Sequence, residues 1–192
     1  MVMMPDDAFQ KGDALIVVDV QNDFCPGGKL PIEHGDEVVP ILNEWMASAA
    51  AKGVPVFASR DWHPIAHVSF KDQGGPWPPH CVQDTEGAAF HPDLRLPDDA
   101  IIVTKGVRFD QDQNSAFDQT GLAAYMKRRG VERVWIGGLA EDVCVAATAL
   151  DARAPGFKVC VLEDATRPVT EEQGREALKK MADAGARIER TG

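Results

Sequence analysis

The residues best equipped for chemistry are one cysteine, one lysine, one aspartate and a group of histidines. Cys144 stands in GGLAEDVC (137–144), after an apolar run and at the start of a helical pattern. Free N–H groups and the dipole at a helix N-terminus stabilise a thiolate and can hold an oxyanion. The expectation is a thiol pKa below the ordinary range; the alternative is a small buried hydrophobe, the usual state of a free cysteine. Asp19 interrupts the apolar run IVVDV (16–20). A carboxylate there is costly unless paired. Lys105 closes another short run and can be its partner, either in a structural ion pair or in holding Asp19 as a proton carrier beside the thiol.

A second group lies in DWHPIAH (61–67), where Asp61, His63 and His67 fall at i, i+2 and i+6, with His80 following Trp77-Pro78-Pro79. Three imidazoles and a carboxylate in one irregular stretch suit a divalent transition metal, and the spacing is not that of a zinc finger. His34 and His91 are expected on the surface. Phe24, Trp62 and Trp77 frame the same region, either as core packing or as walls for a flat aromatic substrate.

These side chains must be positioned by alternating strands and helices. Short apolar runs at 14–20, 54–59, 101–104, 133–137 and 158–162, with an edge run at 186–190, predict strands. Helical spacing at 36–52, 120–129, 143–154 and 170–184 predicts helices, with Pro40 in a first turn and Gly53, Gly130 and Gly185 as stops. Continuously apolar strands alternating with helices predict an α/β fold: a parallel sheet covered on both faces. Ligands in such folds sit beyond the carboxyl ends of the strands, where Asp19, Asp61, Lys105 and 137–144 all fall. The chain is read as one domain over 1–192, with a functional loop at about 60–99.

Bulk composition narrows the partners. With 192 residues, 44% hydrophobic and 26% charged, the chain can bury a core. A formal net charge of -10 argues against nucleic acid, and Lys127-Arg128-Arg129 reads as a helix end. No apolar run spans a bilayer and 1–12 lacks a secretory pattern, so the expected compartment is the cytoplasm. The four cysteines form no CxxC pair and are read as free; Cys160 alternates within a strand as core, and Cys25 and Cys81 have no helix start behind them. Spare apolar helix faces leave homo-oligomerisation open.

IVVDVQNDFCPGG, the Asp61–His67 segment, WPPHCVQ, TKG and GGLAEDVCV, in this order, resemble nicotinamidases of the isochorismatase-like hydrolase superfamily. The resemblance implies a six-stranded, three-layer fold and a catalytic trio of Asp19, Lys105 and Cys144. It implies metal ligands Asp61, His63, His67 and His80 for one zinc, iron or manganese ion. It implies a cis peptide before Ala140, an oxyanion hole from the N–H groups of Ala140 and Cys144, and substrate contacts from Phe24, Trp77 and Leu139. The implied reaction is hydrolysis of nicotinamide to nicotinate and ammonia in NAD salvage, with pyrazinamide as a further substrate. Val143 and Asn114 depart from the usual pattern, where relatives often carry an aromatic or histidine and a tyrosine. The competing readings are an amidohydrolase for another amide or ureido substrate, and a non-catalytic metal-binding module, which would leave Asp19, Lys105 and Cys144 without a role.

Overall fold

A computed structural model describes residues 2–191. A short helix, α1 (Pro5–Ala8), leads into β1 (Asp13–Val18). There follow α2 (Val38–Ala51), β2 (Val56–Asp61), β3 (Ile101–Lys105), α3 (Leu122–Arg128), β4 (Arg133–Leu139), α4 (Ala146–Arg153), β5 (Lys158–Arg167), α5 (Glu171–Asp183) and β6 (Arg187–Glu189). The strands form one parallel sheet in the order β3-β2-β1-β4-β5-β6. The order reverses between β1 and β4, and the crevice beyond their carboxyl ends is where such a sheet receives ligands.

The period-two alternation of β1 separates two cores. Leu15 and Val17 pack with Val38, Leu42, Trp45, Met46 and Trp135 under α2. Ala14, Ile16 and Val18 pack with Met126, Ile136, Ala149 and Met181 under α3, α4 and α5. Every residue of β1 is buried, as a central parallel strand covered on both faces requires.

Boundaries differ from the sequence reading where local geometry intervenes. The 36–52 helix opens with a 3₁₀ turn (Gly35–Glu37), and the α-helix begins at Val38. β4 runs on to Leu139, and β5 extends to Arg167 through a register shift opposite Ile136–Gly138. The helix expected over 143–154 is an α-helix only from Ala146; Glu141–Val145, which carries Cys144, is a π-helical turn. Such turns occur frequently at functional sites. Beyond the end of β2 at Asp61, the 60–99 segment holds 3₁₀ turns and isolated bridges as its regular structure. No helix among the described residues is long and apolar enough to cross a membrane.

Candidate active site and metal centre

The last residue of β3 organises the site. Lys105 is fully buried, and its Nζ donates to Asp19 Oδ2 at 2.8 Å and to Asp61 Oδ1 at 2.6 Å. It also lies 3.6 Å from Cys144 Sγ. Asp19, one residue past β1, has φ of 49° and accepts a second bond, from Ser59 Oγ at 2.7 Å. One ammonium thus joins a carboxylate from the β1 end, a carboxylate from the β2 end and the thiol after β4.

Burial decides the protonation of this group. It lifts the Asp19 carboxyl above the ordinary carboxylate range, although Lys105 pulls it down. Burial also pushes the Cys144 thiol well above its ordinary value, with Lys105 opposing and the two aspartates adding to the rise. This runs against the expectation of a thiol acidified at a helix start: Cys144 is buried within the π-helical turn, and burial is the largest influence on it. Burial thus favours the neutral thiol, and its use as a nucleophile calls for a base to take its proton. For Asp61 burial again works upward, but Lys105 and then His63 outweigh it and hold the carboxyl well below the usual range.

The histidines stand on the other side of Asp61. His63 Nε2 is 3.5 Å and His80 Nε2 4.0 Å from Asp61 Oδ2. The opposite nitrogens are committed: Nδ1 of His63 to Gly106 O, of His67 to Ser69 Oγ and of His80 to Pro78 O, each at 2.8 Å. Each Nε2 therefore faces the cluster with its ring fixed from behind, the arrangement that orients imidazole ligands. His67 Nε2 is buried and has no hydrogen-bond partner among the described residues. Burial keeps the His67 and His80 imidazoles below their usual range, which favours the neutral, ligating form. These residues fit a divalent metal.

The donors fall into two overlapping sets. Asp61, His63 and His80 present ligand atoms within 4.8 Å of one another, and so do His63, His67 and Asp112. His67 adjoins His63, its ring stacked at 4.1 Å, and shares with it the second of these sets. Asp112 was not singled out from sequence. It lies between Asp110 and Asn114 in an irregular stretch, where no spacing marks one carboxylate from another. Gln113 returns this stretch to the site by accepting from Gly106 N at 3.0 Å.

Gly106 admits no side chain. With φ of +70°, a Cβ there would lie 2.5 Å from His63 Cε1. Gly106→Ala is expected to displace the His63 ring and weaken zinc binding by about tenfold or more. A zinc titration of the metal-stripped variant that matches the parent would refute this.

A cavity with about 480 Å³ of free space, its open mouth included, is lined by Cys144, Ala140, Asp61 and His80, with Phe24 and Trp77 as aromatic walls. The Phe24 ring lies 5.5 Å from that of His80. Asn114, Val143 and Asp112 also line it, Asn114 Oδ1 lying 3.9 Å from Cys144 Sγ. The peptide between Leu139 and Ala140 is cis, and the Ala140 carbonyl accepts from Val143 N and Val145 N. Leu139, expected among the substrate contacts, is not on the wall: its side chain is fully buried in the core under α2 and lines no part of the cavity. His34 and His91 stand apart from the cluster, His34 paired with Glu37 at the surface.

The isochorismatase domain family model matches residues 13–191, nearly the whole chain. The chain belongs to this family. Among curated members, the nicotinamidase of Acinetobacter baylyi is 39% identical over 178 residues, 81% of each chain. Among solved members, the pyrazinamidase of Pyrococcus horikoshii in complex with zinc superposes with a TM-score of 0.90 at 46% identity, covering 93% of this chain and 99% of that one. PnC1 from L. infantum in complex with nicotinate gives 0.89 at 36% identity, covering 99% and 96%.

Proposed function

We propose that this chain is a nicotinamidase that hydrolyses nicotinamide to nicotinate and ammonia through a thioester on Cys144, serves NAD salvage and also accepts pyrazinamide. The observation that carries this reading is that Cys144, Asp61 and His80 line one aromatic-walled cavity, with Asp19 and Lys105 behind the thiol and His63 beside Asp61. The relatives named as nicotinamidase and pyrazinamidase support the substrate class.

Asp61, His63, His67 and His80, with Asp112 beside His67, would hold a divalent metal, which would supply a Lewis acid for the pyridine nitrogen. Imidazole and carboxylate donors admit zinc, iron or manganese; the zinc complex of the P. horikoshii relative favours zinc. Phe24 and Trp77 bracket the ring. Asp19 takes the proton of Cys144 Sγ, its carboxyl raised above the usual range by burial and so a stronger base. The thiolate attacks the amide carbon, and the N–H groups of Ala140 and Cys144 hold the oxyanion. Asp19 gives the proton to the departing ammonia. It then takes one from the water that hydrolyses the thioester, and nicotinate leaves. Lys105 stays charged throughout and holds Asp19 in place.

The test is ammonia release from nicotinamide by the purified protein before chelation, after chelation and after metal is restored. Release that chelation abolishes and zinc restores is the expected result. His63→Ala should lose metal and activity together; an active, metal-free variant would remove the metal from the reaction. No release with zinc, iron or manganese would shift the reading to another amide.

A further inference from the structure

We propose that the turn after β1 is part of the construction of the metal centre, with Gln21 and Asp23 as positioning residues that hold Asp61 and His80 in ligating register. This rests on the reading of the histidine–aspartate cluster as a divalent metal site.

The need for such a device follows from the register of the sheet. The parallel pairing of β1 with β2 ends at Val18 opposite Ser59, with one further bond from Asp19 N to Ser59 O. Asp61 lies two residues beyond Ser59. On its other flank β3 continues, pairing Asp61 with Lys105. On the β1 flank its backbone has outrun its strand, and a buried peptide group without a partner is costly. The Gln21 side chain fills that gap. Its Oε1 accepts from Asp61 N at 2.9 Å and its Nε2 donates to Asp61 O at 2.8 Å. A fully buried side-chain amide thus makes the reciprocal pair that a neighbouring strand would make. The same Nε2 donates to Ala88 O at 2.9 Å and ties the far end of the irregular segment to the same point.

Asp23 does the corresponding work at His80. Its carboxylate is buried, and its two oxygens are taken by backbone N–H groups: Lys29 N on Oδ1 at 3.1 Å and Cys81 N on Oδ2 at 2.8 Å. Cys81 follows His80 and has φ of 47°, so the chain turns sharply at the bond that Asp23 holds. The carbonyl of Cys81 accepts from His63 N at 2.8 Å, which links the two ligand-bearing segments through the residue Asp23 secures. Space for the carboxylate is made by Gly87, where a Cβ would fall 2.2 Å from Asp23 Oδ2. Hydrogen bonds to an ionised acceptor are the stronger kind. Neither residue touches the cavity, so their contribution runs through Asp61 and His80.

The experiment compares zinc affinity with fold stability in three metal-stripped variants. Asp23→Asn keeps the shape and takes away the charge and one acceptor. Gln21→Met keeps the length and removes the amide. Leu42→Ala loosens the core under α2 and removes none of the hydrogen bonds made by Gln21 and Asp23. Zinc affinity is read by competition with a chromophoric chelator, and stability by thermal unfolding of the apo proteins. Asp23→Asn and Gln21→Met are expected to bind zinc about tenfold to a hundredfold more weakly, the usual effect of losing a ligand's supporting partner. Leu42→Ala is expected to lower the melting temperature and leave zinc affinity within about twofold of the parent. Parent-like zinc affinity in Asp23→Asn overturns the proposal, as does an equal loss in Leu42→Ala. Should Gln21→Met fail to fold, Asp23→Asn decides alone. A parent protein that binds zinc but hydrolyses no nicotinamide sinks the reading of the substrate and leaves this one standing.

Discussion

Cys144→Ala is expected to release no ammonia above background while keeping the parent's circular dichroism and zinc content. The loss should be on the order of 10⁴-fold or more in kcat, as when the nucleophile of a covalent hydrolase is removed. The four cysteines are all buried, but Cys144 is the one among them that lines the cavity. Cys160 is packed within β5, Cys25 belongs to the core under α2, and Cys81 is fully buried behind His80. No other thiol can substitute, and the hydroxyl of Cys144→Ser, a far weaker acid, should restore little. Because burial holds the thiol protonated, the same argument extends to Asp19→Asn, which removes the base and should be nearly as inactive. Near-normal turnover in Cys144→Ala would sink the thioester route. It would return Cys144 to the role of a buried hydrophobe and leave the metal site as the centre of any chemistry.

How far the sequence foretold this arrangement depended on the range of the forces involved. Strand runs such as ALIVV and RVWIG are buried on both faces, so they carry a continuous signal and their parallel pairing follows from the helices between them. Asp19 was legible because a charge inside such a run is anomalous by itself. Cys144 was legible by position, yet its acidity was misread. The helix start is local and visible in sequence, whereas burial by the folded chain and the nearby Asp19 and Asp61 charges exist only once distant strand ends meet. Leu139 shows the same limit. Its place beside Ala140 says nothing of whether the strand end turns its side chain to the cavity or to the core, and the pleat sends it to the core. Asp112 carried no signal, because its nearness to His67 exists only after Gln113 folds its segment back on Gly106. Gln21 and Asp23 read as ordinary turn residues until the end of β1 pairing makes their hydrogen bonds necessary.

Replacing Lys105 with methionine is expected to destabilise the metal-stripped protein more than the loss of any surface ion pair, by roughly 3–5 kcal/mol at pH 7, the cost of breaking a buried pair by removing one partner. Lys105 is the shared cation of two carboxylates, at 2.8 Å and 2.6 Å, and all three groups are enclosed. Methionine fills the stem's volume, so the loss isolates charge from packing. The pH dependence gives the sharper test. In the parent, Lys105 and His63 hold the Asp61 carboxyl below its unfolded value. That contribution is present above the unfolded pKa near 3.8 and is lost as pH falls through the folded one. In the variant, Asp19 and Asp61 face each other without the ammonium, and burial raises the folded carboxyls above the unfolded ones. The folded variant then binds more protons than the unfolded chain, so acidification from pH 7 towards pH 5 should recover part of its stability. Urea unfolding of the two apo proteins at both pH values reads the difference directly. A deficit under about 1 kcal/mol at pH 7, or one that does not shrink on acidification, would mean that the two carboxylates find another partner and that Lys105 is not what holds the β1, β2 and β3 ends together.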